Sequence, residues 1–375
     1  MRLFDTARAE VVDFDPGPVV SMYSCGITPY DSAHLGHAAV YLTFDILQRR
    51  LQDLGHETRC VRNVTDVDDD ILRKARELGV HYLDLAAEEM ARFDGDMASL
   101  GLLPVYSEPR ATSAIPEILS LIGAALDTGH AYRSQGAVYF DVTTFGDFGK
   151  VSHYDRTEML RLAEIHGGRP DDPAKRNPLD FVLWQPSLPD EPAWESRWGP
   201  GRPGWHIECS ALVLRELGET IDVHGGGRDL VFPHHECETA QSESVTGRPF
   251  VRHWLHVGLV GLGGEKMSKS LGNLVFVGDL VKRWEPMAVR LALLGHHYRQ
   301  DWQWESEDLA AATERLARWR GAPAGSETPR TPALDEVRRH LDDDLDAPGA
   351  LDALDAAATA GQAVVRGAAL LGVEL

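Results

Sequence analysis

The chain has 375 residues, 43% of them hydrophobic, with 58 acidic against 37 basic side chains and a formal net charge of −21. A chain of that length buries a sizeable core and suggests roughly two or three domains, while its acidity argues against a broad nucleic-acid surface. The four cysteines are too few for a disulfide framework and read as reduced thiols, either ligands or core residues. Residues 1–10 mix charges without an apolar core segment and no run approaches a membrane span, so a cytoplasmic protein is expected.

The first element is a buried strand at Pro18 to Ser24, carrying Val19, Val20, Met22 and Tyr23. Val40, Phe44, Leu47, Leu51 and Leu54 then recur at helical spacing, with Gly55 as C-cap. Between them, Cys25-Gly-Ile-Thr-Pro-Tyr-Asp-Ser-Ala-His34-Leu-Gly-His37 forms a strand-to-helix turn. In an open α/β sheet such a turn collects phosphates at the helix N-terminus, and Gly36 permits close approach. A second strand covers His56 to Val64. The following Asp66, Asp68 and Asp70 have calcium-loop spacing, but Ile71 stands where that loop needs glycine, so a solvated, helix-capping loop is expected. Helical patterns run over 71–100 and 113–129. From Gly136 to Pro203 the chain is irregular and rich in proline and tryptophan, with a strand at Ala137 to Val142, as for an insertion spanning roughly 104–200.

A helix starts at Trp205, a strand covers Ile221 to His224, and Gly225-Gly-Gly-Arg-Asp229 reads as another strand-to-helix loop. His234 and Glu238 are four apart and share a helix face. With Cys25 and Cys209 they make a donor set suited to tetrahedral zinc, although spacing alone favours buried thiols and a capped helix. Cys237 reads as packing. Two of the six lysines fall in Lys266-Met-Ser-Lys269-Ser, which is flanked by Gly263, Gly264 and Gly272. An apolar segment at Val289 to Leu294 and helical stretches over 306–320 and 333–372 follow, the last two joined by a linker at Ala322 to Pro332. From Thr331 onward there are nine acidic residues and three arginines.

His34-Leu-Gly-His37 after the first strand, together with Lys266-Met-Ser-Lys-Ser270, resembles a class I aminoacyl-tRNA synthetase catalytic domain. The resemblance implies an α/β fold, a Rossmann-like parallel sheet with an inserted connective region and a C-terminal helical domain. Its parts would be two catalytic halves at 1–103 and 201–262 around the 104–200 insertion, then a lysine-loop and stem-contact-like region at 263–305 and helices at 306–375. It also implies catalysis by His34, His37, Lys266 and Lys269 with Mg-ATP. Cys25-Gly-Ile-Thr-Pro-Tyr30, Gly201-Arg-Pro-Gly-Trp-His-Ile-Glu-Cys-Ser210 and Pro233-His-His-Glu236 are similar to the cysteinyl branch. That implies zinc on Cys25, Cys209, His234 and Glu238. It also implies L-cysteine and its adenylate bound by Cys25, Gly26, Ile27, Thr28, Asn63, Val64, Thr65, Trp205, Gly227, Arg228, Asp229 and Val260.

A basic anticodon-binding domain is not evident in the sequence. Tyr41-Leu-Thr-Phe-Asp45, Tyr154-Asp-Arg156 and Leu370-Leu-Gly-Val-Glu-Leu375 resemble the cysteine ligases of mycothiol biosynthesis. This implies transfer of cysteine to the amine of glucosaminyl-inositol by a monomer that uses neither tRNA nor a membrane. Ile165-His-Gly-Gly-Arg-Pro170 departs from the Glu-Arg-Gly-Gly-Asp-Pro of those ligases, and Glu238 and Lys175-Arg-Asn-Pro-Leu-Asp-Phe181 are closer to the tRNA enzymes. A shortened cysteinyl-tRNA synthetase, or a ligase for another small amine, is therefore the alternative. Intact copies of both signatures argue against a non-catalytic cysteine-binding paralogue.

Overall fold

The computed structural model describes residues 1–267, 272–323 and 331–375. A short hairpin, β1 (Arg2–Asp5) and β2 (Glu10–Asp13), leads into β3 (Val19–Ile27). Val20 and Met22 on β3 are fully buried, as a strand covered on both faces requires. Helix α1 (Leu35–Asp53) packs on the sheet through Leu35, Leu42, Phe44 and Leu47, starts at an N-cap formed by His34, and stops before Gly55, whose φ of +95° breaks the helical path. Strand β4 (Glu57–Val64) returns parallel to β3, with Met22 opposite Cys60. Helices α2 (Asp69–Leu78) and α3 (Tyr82–Ser99) close this half.

The insertion holds α4 (Ile115–Asp127), the hairpin β5 (Ala131–Ser134) and β6 (Ala137–Phe140), α5 (Arg156–Ile165), β7 (Phe181–Gln185) and β8 (Arg202–Pro203). Its strands form one antiparallel sheet in the order β5-β6-β7-β8. Its apolar face shares a core with the helix that follows: Ile118, Phe140, Leu183 and Trp184 pack in one cluster with Ile207 and Leu212.

Helix α6 (Trp205–Glu216), β9 (Ile221–Gly227), α7 (Glu236–Thr246) and β10 (Val251–Val257) complete the main sheet, whose order is β10-β9-β3-β4, all parallel. The chain passes from β3 to β4 on one side, then crosses back to place β9 and β10 on the other. The carboxyl ends of β3 and β9 therefore flank the topological switch point, where open α/β sheets bind ligands. A small sheet of β11 (Val260–Leu262), β12 (Glu265–Lys266) and β13 (Trp302–Gln303) extends beyond β10. Helices α8 (Val277–Leu280), α9 (Pro286–Leu294), α10 (Ser306–Arg320), α11 (Pro332–Leu341), α12 (Ala347–Thr359) and α13 (Val365–Leu370) follow. They share the large core that also holds α1 and α3.

Three expectations change. The helical stretch over 333–372 is three helices, broken where Asp344 and Leu345 turn to φ of 57° and 51° and again at Gly361. Gly225 to Gly227 are strand rather than loop: β10 runs against them, with Leu255 opposite Gly225, and a Cβ on Gly225 would enter the Leu255 carbonyl. The acidic loop is solvated only in part. Asp66 is fully buried, and Asp68 caps α2 by accepting from the Ile71 N–H at 2.9 Å, while Asp69 and Asp70 face solvent.

Candidate active site

Cys25 ends the regular part of β3, Cys209 lies on the second turn of α6, and His234 and Glu238 flank the start of α7. All four are buried, and their ligand atoms lie within 4.8 Å of one another. The His234 Nε2 stands 2.7 Å from Glu238 Oε1 yet makes no hydrogen bond, and Cys25 Sγ is 3.7 Å from the same oxygen. Two thiols, an imidazole and a carboxylate converging this closely fit a tetrahedral ion with bonds of roughly 2.0–2.3 Å.

The charges agree with that reading. The Cys25 thiol and His234 bring Cys209 down to about 6, into the thiolate form that metals take, while burial pushes Cys25 up. Burial opposes the charge on both members of the next pair, but His224 and His234 bring Glu238 to about 2, and the Glu238 and Cys209 charges raise His234 to about 10. A divalent cation would take the place of the imidazolium proton and balance the thiolate and the carboxylate together.

The sequence did not reveal the shell that aims these donors. His224 holds Glu238 Oε2 at 2.8 Å, and His206 shares a 2.9 Å hydrogen bond with His234 Nδ1. His235 touches Cys25 Sγ at 3.3 Å and passes a 2.6 Å contact to His256, which reaches the Thr6 hydroxyl at 2.7 Å. Burial lowers His235 and takes His256 to about 3, so both are neutral. Such partners fix ring orientation around a metal ligand. A second foursome, Cys25, His224, His235 and Glu238, also lies within 4.8 Å. The signal was in the sequence as histidines at 206, 224, 235 and 256, but they come from α6, β9, the turn before α7 and β10, so no spacing rule links them. Trp205 stacks on His234 with ring centroids 4.2 Å apart, and Cys237 packs in the core as expected.

At the other end of the crevice His34 and His37 stack at 3.8 Å on the N-terminus of α1, where His34 Nδ1 accepts from the Gly36 N–H at 3.1 Å. A Cβ on Gly36 would meet that ring at 2.9 Å, so the glycine makes room for His34 itself. Asn63 ties the strand ends together: its Oδ1 accepts from the Gly26 N–H at 2.8 Å and its Nδ2 donates to Thr65 at 3.0 Å, while the Thr65 N–H reaches the Ile27 carbonyl. Val64 pairs with Ile27. Gly227 ends β9, Arg228 pairs with Asp301 at 3.0 Å, and Asp229 lies beside Gly227. The carbonyl of Val260 accepts from the Met267 N–H at 3.0 Å, so the lysine motif starts beside the sheet's carboxyl edge. Lys266 closes β12 opposite Gly261, and Lys269 lies outside the described residues. Among the described residues, no helix is long and apolar enough to cross a membrane.

A parallel sheet with paired histidines on its first helix and a soft-donor cluster at the switch point is the layout of a class I adenylate-forming synthetase core. Consistent with this, the family model for the tRNA synthetases class I (C) catalytic domain matches residues 13–314. The L-cysteine:1D-myo-inositol 2-amino-2-deoxy-alpha-D-glucopyranoside ligase of Nakamurella multipartita is 49% identical, the alignment covering 100% of this chain and 95% of that protein. The ligase of the same name from Parafrankia sp. is 50% identical over 98% of this chain and 83% of its own. In fold, the chain matches Mycobacterium tuberculosis methionyl-tRNA synthetase in complex with methionyl-adenylate (TM-score 0.66, 16% identity, 94% of this chain and 82% of that one). It also matches a putative arginyl-tRNA synthetase from Campylobacter jejuni (TM-score 0.59, 12% identity, 96% and 94%). The chain belongs to the class I (C) synthetase family and, within it, to the branch formed by these cysteine ligases.

Proposed function

We propose that the protein is an ATP-dependent cysteine ligase of mycothiol biosynthesis. It forms cysteinyl-adenylate from L-cysteine and Mg-ATP, then joins the cysteinyl group to the amine of glucosaminyl-inositol as an amide. The observation that carries this reading is the thiol, imidazole and carboxylate cluster at the switch point, in a chain aligned over nearly its whole length with relatives named for that ligation.

Cys25, Cys209, His234 and Glu238 would hold one zinc ion. Bound there, zinc offers a soft Lewis acid to which the sulfur of cysteine binds far better than the oxygen of serine. Thr28 and Trp205 line the amino-acid pocket. Gly26, Ile27, Asn63, Val64 and Thr65 form one edge of the adenylate cleft, and Gly227, Arg228, Asp229 and Val260 the other. His34, His37 and the first N–H groups of α1 stabilise charge on the α-phosphate as a cysteine carboxylate oxygen attacks phosphorus, while Lys266 and Lys269 neutralise the departing pyrophosphate. The acceptor amine next attacks the carbonyl carbon: the C–N bond forms, the C–O bond to AMP breaks, and the amine gives up a proton.

One preparation supplied with radiolabelled cysteine, ATP, glucosaminyl-inositol and cysteine tRNA tests the acceptor. Amide product without acid-precipitable tRNA label is expected. Labelled tRNA without amide would make the protein a shortened cysteinyl-tRNA synthetase, and adenylate with neither product would mean a different small amine.

A further inference from the structure

The donors His234 and Glu238 flank the start of α7, and that start has no cap of its own. Phe232 is extended, with φ −140° and ψ 134°, the chain becomes helical only after it, and no capping side chain bonds the first N–H groups. Glu236 lies between the two donors, where an acidic side chain ordinarily serves its own helix. Here it serves another part of the molecule. Its carboxylate is fully buried, Oε1 accepts from the Gly149 N–H at 2.8 Å, and Oε2 accepts from the Val151 and Ser152 N–H groups at 3.1 and 2.9 Å. At 100° per residue, position 236 lies about 200° around the helix from position 234, so the donors face the cluster while Glu236 faces the insertion.

The insertion grips the same turn at other points. Between β6 and α5, Phe148 and Tyr154 set ring edges against Phe232 with centroids 6.2 and 6.4 Å apart, and Lys150 pairs with Glu243 two turns farther along α7. These contacts are apolar or open to solvent at one side. The Glu236 bonds are of another kind, because the three N–H groups lie in a turn and take the carboxylate as their acceptor, and a buried N–H left without one costs free energy. A carboxylate brings two acceptor oxygens. An amide in its place would bring one, and would turn its own N–H groups toward those of the loop.

We propose that Glu236 is a positioning residue through which the insertion turn at 149–152 holds His234 and Glu238 at the spacing a metal ion requires. The inference rests on the metal reading of the donor cluster and adds a support that comes from outside it. Ligand distances must hold to about 0.2 Å, which an uncapped helix start does not secure by itself. The coupling is reciprocal: whatever the ion gains from the clasp, the clasp gains from the ion.

The test uses the wild type, Glu236→Gln and Lys150→Met, the last of which loosens the same clasp at a point remote from the donors. Zinc affinity, the visible spectrum of the cobalt(II) protein, unfolding stability and amide hydrogen exchange are measured on each. Glu236→Gln should bind zinc about tenfold or more weaker and change the cobalt d–d bands. Lys150→Met should lose stability while keeping the wild-type affinity and spectrum. In the wild type, metal loading should slow exchange of the Gly149, Val151 and Ser152 amides by about tenfold, an effect absent from Glu236→Gln. An unchanged affinity and spectrum in Glu236→Gln, or an equal loss of affinity in Lys150→Met, would overturn the proposal. Wild-type amides indifferent to metal would also overturn it, and that measurement stands even if the Gln variant fails to fold. A wild type that takes up neither zinc nor cobalt would overturn the metal reading itself and this inference with it, a result distinct from metal uptake that ignores Glu236.

Discussion

The base of the pocket and the C-terminal helical layer are buried to the same degree and built from opposite materials. At the base, His224, His234, His235 and Glu238 are at most 1% exposed, and the residues that cover them are largely polar or aromatic. In the layer, Val337, Leu341, Leu351, Leu354, Val364 and Leu371 are equally hidden but apolar, with ion pairs such as Arg338–Asp53 at 2.6 Å and Arg315–Asp355 at 2.9 Å at the rim and the fully buried Arg290 tied to Asp45. Apolar burial stabilises at about 25 cal/mol per Å², whereas each buried polar group costs free energy unless partnered. The layer is therefore what folding requires, and the base is what chemistry requires.

Substitutions should separate the two regions. The largest effect belongs to the base: Cys209→Ser should reduce metal content from about one zinc per chain to near none and weaken the preference for cysteine over serine by about 10³-fold or more. Metal analysis and pyrophosphate exchange with both amino acids check it, and a metal-free wild type of normal selectivity would erase the contrast. Next, Leu351→Ala in the layer should cost about 2–5 kcal/mol in denaturant unfolding yet leave exchange kinetics at low temperature close to wild type. A comparable loss of selectivity there would mean that the layer and the base are one functional unit.

On the phosphate side, His37→Ala or Lys269→Ala should slow adenylate formation by about 10²-fold while cysteine binding changes little, because these groups act on charge that develops in the transition state. A change confined to the Michaelis constant for cysteine would contradict the roles given to them. The smallest effect should come from the rim. Arg338→Ala removes an ion pair to Asp53 that is partly open to solvent, and about 1 kcal/mol or less should be lost, shrinking further at high salt.

Much of the pocket could be read from residue order because it is built on strand ends. Cys25 to Ile27, Asn63 to Thr65 and Gly227 lie where β3, β4 and β9 reach the carboxyl edge, and local patterns mark each turn. The His34–His37 pair was equally plain, since its spacing is set by one helix start. The histidine shell was not legible: His224, His235 and His256 meet only because β9, the turn before α7 and β10 are brought together by parallel pairing across long crossovers. Glu208 was hidden for a different reason. An acidic residue on a helix reads as a solvated face, and only the tertiary packing of α6 buries it. Arg290, fully enclosed and bonded to Asp45 and to the carbonyls of Leu100 and Leu371, ties the closing segment to α1, and no sequence pattern announces such a tie.

The central claim, that the buried donor cluster selects the substrate by its sulfur, is tested most directly by loading the protein with cobalt(II) and titrating it with L-cysteine and with L-serine. Thiolate-to-cobalt absorption should grow with cysteine and saturate together with calorimetric binding, with no such growth on adding serine. Cysteine that binds while the absorption stays unchanged would contradict the account.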